Sequence, residues 1–177
     1  MSQPFPLPVL GFVAYCSNSG KTTLLRRVIS LLKQQGVRVG IVKHCHHEIQ
    51  IDKPGKDSYE LRKAGAEQAV LASANGWALM VEHEQPQYPE LSYLLERMDT
   101  DQLDVVLLEG FRQSGLPKIE VSRNELNTPL MCQSPDGENT IIAVATDGII
   151  ADSPVPVLDL NNPAEVVEFI QKWIEQW

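Results

Sequence analysis

The chain has 177 residues, 43% of them hydrophobic, and a formal net charge of −8; that length and apolar content supply one good core and predict a single domain over 1–177. The acidic balance opposes a nucleic-acid partner, because neutralising a polyanion needs a basic face, and no apolar run is long enough to span a bilayer. Cys16, Cys45 and Cys132 are odd in number and widely spaced, which suits a reducing compartment; the N-terminus, broken by prolines and without a basic start, is expected to be neither a signal peptide nor a transit sequence, so a cytoplasmic protein is predicted.

The apolar run Leu7 to Ala14 predicts a parallel strand buried on both faces, opening into a short polar loop from Tyr15 to Ser19. Leu24, Leu25, Val28, Leu31 and Leu32 then recur at helical spacing, and Gly36 stands where a C-terminal cap belongs. Val37 to Lys43 completes a βαβ unit whose strands should lie parallel in one sheet. Asp57 or Ser58 is expected to cap a short helix through Lys63. Gln68 to Ser73 and Trp77 to His83 read as strands around the turn dipeptide Asn75-Gly76, so a hairpin over about 67–83 interrupts the β/α alternation. Pro89 suits the first turn of a helix carrying Leu91, Leu94, Leu95 and Met98, followed by a very apolar strand at Leu103 to Leu108. Further strands are expected at Lys118 to Ser122, Thr140 to Ala145 and Val155 to Leu158. Asn162, Pro163 and Glu165 give N-cap, first-turn and N3 signals for a final helix to about Trp177. The order predicts an α/β fold: a P-loop NTPase-like three-layer arrangement, with a mostly parallel central sheet flanked by helices and an inserted β-hairpin.

Ser17-Asn18-Ser19-Gly20-Lys21-Thr22-Thr23 sits between the first strand and the first helix, where backbone N–H groups and a helix N-terminus converge on an anion. Lys21 is placed to reach the β- and γ-phosphates of a nucleotide and the Thr22 hydroxyl to coordinate Mg²⁺. Gly-Lys-Thr alone opens many ordinary helices; strand, loop and helix in register make phosphate binding the reading here. One departure stands out: the usual pattern has Gly five positions before Gly20, and this chain has Tyr15, which does not easily take a glycine-only backbone conformation.

A second element is expected at the end of another central strand, where an acid serves Mg²⁺. Asp104 begins and Glu109 ends the stretch Leu-Asp-Val-Val-Leu-Leu-Glu-Gly, and ligands of open parallel sheets gather at C-terminal strand ends, which selects Glu109. The loop from His44 to Asp57 leaves the second strand on the same edge. Its Asp52 can meet Mg²⁺ through water, and Lys53 or Lys56 can touch phosphate, against the plain alternative of a solvated charged loop. The cluster His44-Cys45-His46-His47-Glu48 lacks a second Cys/His pair at structural-zinc spacing. Asp147, at another strand end, could accept guanine N1–H and its exocyclic amine; a functionless Asp-Gly turn competes, and the residues alone leave the base open.

On these residues the chain resembles the MobB family of molybdopterin-guanine dinucleotide biosynthesis adaptors. The resemblance is carried by Ser-Asn-Ser-Gly-Lys-Thr-Thr-Leu at 17–24, Lys-His-Cys-His-His at 43–47, Asp-Lys-Pro-Gly-Lys-Asp-Ser-Tyr-Glu-Leu-Arg-Lys-Ala-Gly-Ala at 52–66, Leu-Glu-Gly-Phe at 108–111 and Ala-Val-Ala-Thr-Asp at 143–147. It implies a GTP-binding, weakly GTP-hydrolysing homodimer that assists a nucleotidyltransferase, MobA, in attaching GMP to molybdopterin. Ser17 to Thr23 would hold phosphate, Thr22, Glu109 and Asp52 would serve Mg²⁺, and Asp147 becomes a candidate for guanine. Slow hydrolysis fits the absence of an evident arginine finger; Arg112 is the nearest candidate cation, with a solvated surface residue or a pterin-phosphate contact as its other readings. A small-molecule kinase on the same fold is the competing function, its acceptor held by the loop at His44 to Asp57. A third reading makes the P-loop vestigial and the hairpin an oligomerisation edge.

Overall fold

The computed structural model describes residues 5–45, 49, 52–83, 85, 87–134 and 140–177. They fall into two compact units, one of residues 1–44 with 90–177 and one of 45–89.

The first unit holds β1 (Val9–Val13), α1 (Lys21–Gln34), β2 (Val39–Lys43), then α3 (Leu91–Leu95), β5 (Val105–Glu109), β6 (Lys118–Ser122), β7 (Ile141–Thr146), β8 (Val157–Asp159) and α4 (Pro163–Ile174); the second holds α2 (Asp57–Lys63), β3 (Gln68–Ser73) and β4 (Gly76–Val81). The six strands of the first unit form one sheet in the order β2-β5-β1-β6-β7-β8, and every neighbouring pair is parallel. β1 and β2 therefore share a sheet as expected, with β5 between them. All C-terminal strand ends lie on one edge, and the loop after β1 opens there.

Strand alternation sorts the core. Leu10 and Phe12 of β1, Leu107 of β5 and Val121 of β6 face α1 and α4, where they meet Val28, Leu32, Val166 and Ile170. Val9, Val106 and Leu108 point the other way and pack with Leu95 of α3. Burial on both faces explains the unbroken apolar runs of β1 and β5. α1 ends as its glycine predicts: Gly36 (φ +84) lets its own N–H reach the Lys33 carbonyl at 3.0 Å and the Val37 N–H reach Leu32 at 3.0 Å, the paired bonds of a Schellman cap.

β6 is different. Its Lys118 and Glu120 are 0% and 1% exposed, on the face opposite α1. The Lys118 ammonium donates to the Ser114 carbonyl, to the Leu116 carbonyl at 3.1 Å and to the Thr140 hydroxyl at 2.8 Å. Glu120 accepts the Met131 and Cys132 N–H groups at 2.8 and 3.0 Å. These bonds satisfy charges that would otherwise be costly to bury, and they tie the connecting segments to the sheet. Gly11 makes room for the lysine: a Cβ there would lie 3.0 Å from Lys118 Cγ.

Two helix starts differ from the sequence expectation. α3 begins at Leu91 with Glu90 as N-cap, two residues beyond Pro89, and it stops at Leu95 because Arg97 and Met98 bond back only three residues, to Leu94 and Leu95. α2 has Lys56 at its N-cap, with Asp57 and Glu60 inside the first turn, where they favour the helix dipole instead of capping it. α4 starts where expected, with Asn162 at its N-cap and Pro163 in the first turn; Asn162 makes no side-chain cap, and the Glu165 carboxylate accepts the Asp159 N–H at 3.3 Å.

In the second unit β3 and β4 pair antiparallel from Gln68↔Val81 to Ser73↔Gly76. Arg62 and Lys63 of α2 both reach the Glu82 carboxylate, the lysine at 3.4 Å. Val70 and Trp77 remain 63% and 69% exposed.

Candidate nucleotide-binding site

The loop after β1 turns into α1 through two left-handed residues, Asn18 (φ 62) and Gly20 (φ 90), conformations that Asn tolerates and Gly takes freely. Tyr15 is not left-handed, so its position needs no glycine. Its ring is instead half exposed and carries the Arg112 guanidinium 5.8 Å from the ring centre, which accounts for both residues. Gly20 is the N-cap of α1, without a side-chain cap. The free amides of the first helical turn are left for an anion.

Ser17 to Thr23 line a cleft of about 550 Å³ together with Glu109, Arg123 and Glu125. Across it the Thr22 hydroxyl donates to Glu109 Oε1 at 2.6 Å, while Lys43 Nζ stands 3.2 Å from Glu109 Oε2. Glu109 is held there by the pairing of β5 with β1 and β2, which sets Phe12 and Lys43 beside it. Gly110 (φ +94) turns the chain away, and a Cβ on it would come within 3.0 Å of His44 Cβ; Phe111, also left-handed, stacks edge-on against the His44 ring at 5.3 Å. The Leu-Glu-Gly-Phe motif thus aims the carboxylate. Asp104 lies at the other end of β5, where it takes the Arg38 backbone N–H at 2.8 Å and its guanidinium at 2.7 Å; that ion pair holds its carboxyl below the usual carboxylate range.

Lys21 Nζ lies 3.4 Å from the Ser19 hydroxyl. Burial lowers its pKa from the ordinary lysine value, opposed by the charges of Glu109 and Cys16 and reinforced by Lys43. A partly desolvated ammonium beside helix amides gains from an arriving phosphate more than a fully solvated one does.

Asp147 follows β7. Its Oδ1 accepts the Asn124 N–H at 2.8 Å and its Oδ2 faces Arg123 Nη1 at 3.3 Å. The flanking residues Thr146 and Gly148 line a second pocket of about 230 Å³, with Asn124, Ile149 and Ile150. Arg123 lines both cavities. Sequence reasoning missed Arg123 and Glu125: they follow an ordinary-looking strand, and only the strand order, with β6 beside β1, brings them to the phosphate loop. Arg112, the cation singled out from the sequence, sits on Tyr15.

The constellation of P-loop, Glu109, Arg123 and Asp147 belongs wholly to the first unit. Asp52 is in the second, where its Oδ1 accepts the Lys53 N–H at 2.9 Å and its Oδ2 is buried without a hydrogen-bond partner among the described residues. His46, His47 and Glu48 of the His/Cys cluster lie outside the described residues. No described helix is long and apolar enough to cross a membrane.

Comparison with known proteins places this geometry. The family model for molybdopterin guanine dinucleotide synthesis protein B matches residues 9–147. A molybdopterin-guanine dinucleotide biosynthesis adapter protein of Escherichia coli strain K12 is 40% identical over 173 residues, covering 96% of this chain and 95% of that protein. A Haemophilus influenzae protein of the same description is 39% identical, covering 97% and 92%. Among solved structures, that of Bacillus subtilis MobB superimposes with a TM-score of 0.71 at 25% identity, over 94% of this chain and 97% of the other.

Proposed function

The chain belongs to the family of molybdopterin guanine dinucleotide synthesis protein B, and from that premise we propose that it is a GTP-binding adapter in molybdopterin guanine dinucleotide synthesis, acting with Mg²⁺ beside a partner nucleotidyltransferase, MobA, and hydrolysing GTP slowly. The observation that carries the nucleotide half of this reading is the 2.6 Å bond between the Thr22 hydroxyl and Glu109. It joins the phosphate loop to a strand-end acid and presents two hard oxygen donors together at the mouth of the cleft, the ligand type that Mg²⁺ prefers. Thr22 and Glu109 would hold Mg²⁺ there, and the ion would supply positive charge against the phosphates. Ser17 to Thr23 wrap the phosphates and Lys21 neutralises them.

The pocket beside Asp147 supports a place for the base, with the Asp147 carboxylate as the acceptor for guanine and the apolar Ile149 and Ile150 offering a surface for the ring. The hairpin supports a homodimer: its exposed Val70 and Trp77 lie on one face, since Val70 pairs with Leu79 and Trp77 with Ala72, and an apolar patch of this kind marks an association surface. The partner role, the cytoplasmic location and the binding of molybdopterin follow from the family premise. Calorimetric titration with GTP in the presence of Mg²⁺ tests the reading. Lys21→Ala should weaken binding by at least about tenfold, the worth of one charge-assisted hydrogen bond; unchanged affinity in that variant would sink it.

A further inference from the structure

We infer that Arg123 is a phosphate ligand of the cleft, a cation built into this chain and aimed by Asp147; the inference rests on the nucleotide-binding reading and adds a residue to it. Three observations converge on this side chain. It lines the phosphate cleft beside the P-loop. Its Nε and Nη2 atoms would lie 3.1 and 3.2 Å from a Cβ at Gly20, so that edge of the guanidinium rests on the α-carbon of the residue that opens α1. Its remaining amino group, Nη1, is turned away toward Asp147 Oδ2 at 3.3 Å.

A guanidinium offers donors in a rigid planar fork, so one edge can be fixed by a carboxylate while the other serves a second anion. Asp147 is suited to that fixing role. Its other oxygen is pinned by the Asn124 N–H at 2.8 Å, and the side chains of Arg123 and Asp147 are only 30% and 21% exposed. The pair is thus partly shielded from water and holds one geometry. Charge argues the same way: without Arg123 the charged residues lining the cleft are Lys21 against Glu109 and Glu125, a net acidic surface for an anionic ligand. Arg123 brings it to balance before any metal arrives. A simple surface ion pair would not explain why the guanidinium is laid so closely against Gly20 that a Cβ there would stand only 3.1 Å from its Nε. Asp147 is a positioning residue in this account, whatever it also does for the base.

Inorganic triphosphate separates these roles, because it has no base for Asp147 to read. Calorimetry with triphosphate should show Arg123→Met binding about ten- to a hundredfold more weakly than the unaltered chain, the range of a charged hydrogen-bonded contact. Asp147→Asn should lose part of that factor, and the double variant should lose no more than Arg123→Met alone, because Asp147 acts through Arg123. Arg123→Lys, which keeps the charge and loses the fork, should recover part of the affinity. If Lys21→Ala weakens triphosphate binding while Arg123→Met leaves it unchanged, the nucleotide reading stands and the Arg123 inference is overturned. Additive losses in the double variant would remove the positioning role of Asp147. Triphosphate binding that ignores Lys21 altogether would overturn both.

Discussion

Replacing Glu109 by glutamine removes one charge from the cleft and almost nothing else. The amide keeps an oxygen to accept the Thr22 hydroxyl bond, now 2.6 Å long, but turns a charge-assisted bond into a neutral one, a loss of about 1 kcal/mol. The Lys43 partner at 3.2 Å is 49% exposed, so that half of the site is solvent-screened and contributes at most about 1 kcal/mol. Glu109→Gln should therefore destabilise the fold by about 1–2 kcal/mol, lowering Tm by roughly 2–8 °C for a chain of this size. The effect on binding has a different signature. Without Mg²⁺ the variant should bind GTP as well as the unaltered chain or better, because a negative charge facing the phosphates is gone. With Mg²⁺ it should bind about tenfold or more weakly, having lost a ligand for the ion. Lys21 will also be harder to protonate, since the Glu109 charge is the main influence opposing its burial. The assay is GTP titration of both proteins at several Mg²⁺ concentrations, read beside thermal unfolding. An unchanged Mg²⁺ enhancement in a folded Glu109→Gln protein would refute the metal site.

Two further outcomes are expected. Trp77→Lys, altering a side chain 69% exposed, should leave folding within about 0.5 kcal/mol while shifting the chain from dimer to monomer in sedimentation at micromolar concentration; an unaltered sedimentation coefficient would remove the hairpin from the interface. The Cys132 thiol is pushed up to about 11, by burial first and by the Glu120 charge next, from an ordinary 9.0. A raised value means that the folded chain holds its proton more tightly, so the corresponding stability is complete below pH 9 and is lost as pH rises through about 11. At pH 8 the two-unit difference makes Cys132 roughly a hundredfold less thiolate-rich than in the unfolded chain, and mass-spectrometric labelling at equal rates in folded and urea-unfolded protein would contradict this.

The parts of the fold set by neighbours in sequence were legible before the structure. β1 and β5 announced themselves as unbroken apolar runs because both faces are covered, Gly36 marked the end of α1 through its left-handed backbone, and Asn75-Gly76 located the hairpin turn to within one residue: Ser73 pairs with Gly76, so Ala74 and Asn75 make the turn and Gly76 opens β4. The phosphate loop followed from its position between β1 and α1. The expectations that slipped concerned helix starts: Asp57 enters the first turn of α2 and does not cap it, and α3 begins two residues beyond Pro89. The less legible half of the candidate site depends on strand order. β6 lies beside β1 although more than a hundred residues separate them, so Arg123 reaches Gly20 and Asp147 without any local pattern to reveal it. Lys118 and Glu120 were hidden for a related reason: their partners are chiefly backbone groups of connecting segments, and in sequence they look like the solvated face of an alternating strand.

The central claim is that the cleft selects GTP, and paired calorimetric titrations of GTP and ATP at one fixed Mg²⁺ concentration test it most directly. A carboxylate that meets both N1–H and the exocyclic amine of guanine leaves adenine without matching donors, so GTP should bind at least about tenfold more tightly. Equal affinity for the two nucleotides would contradict the account.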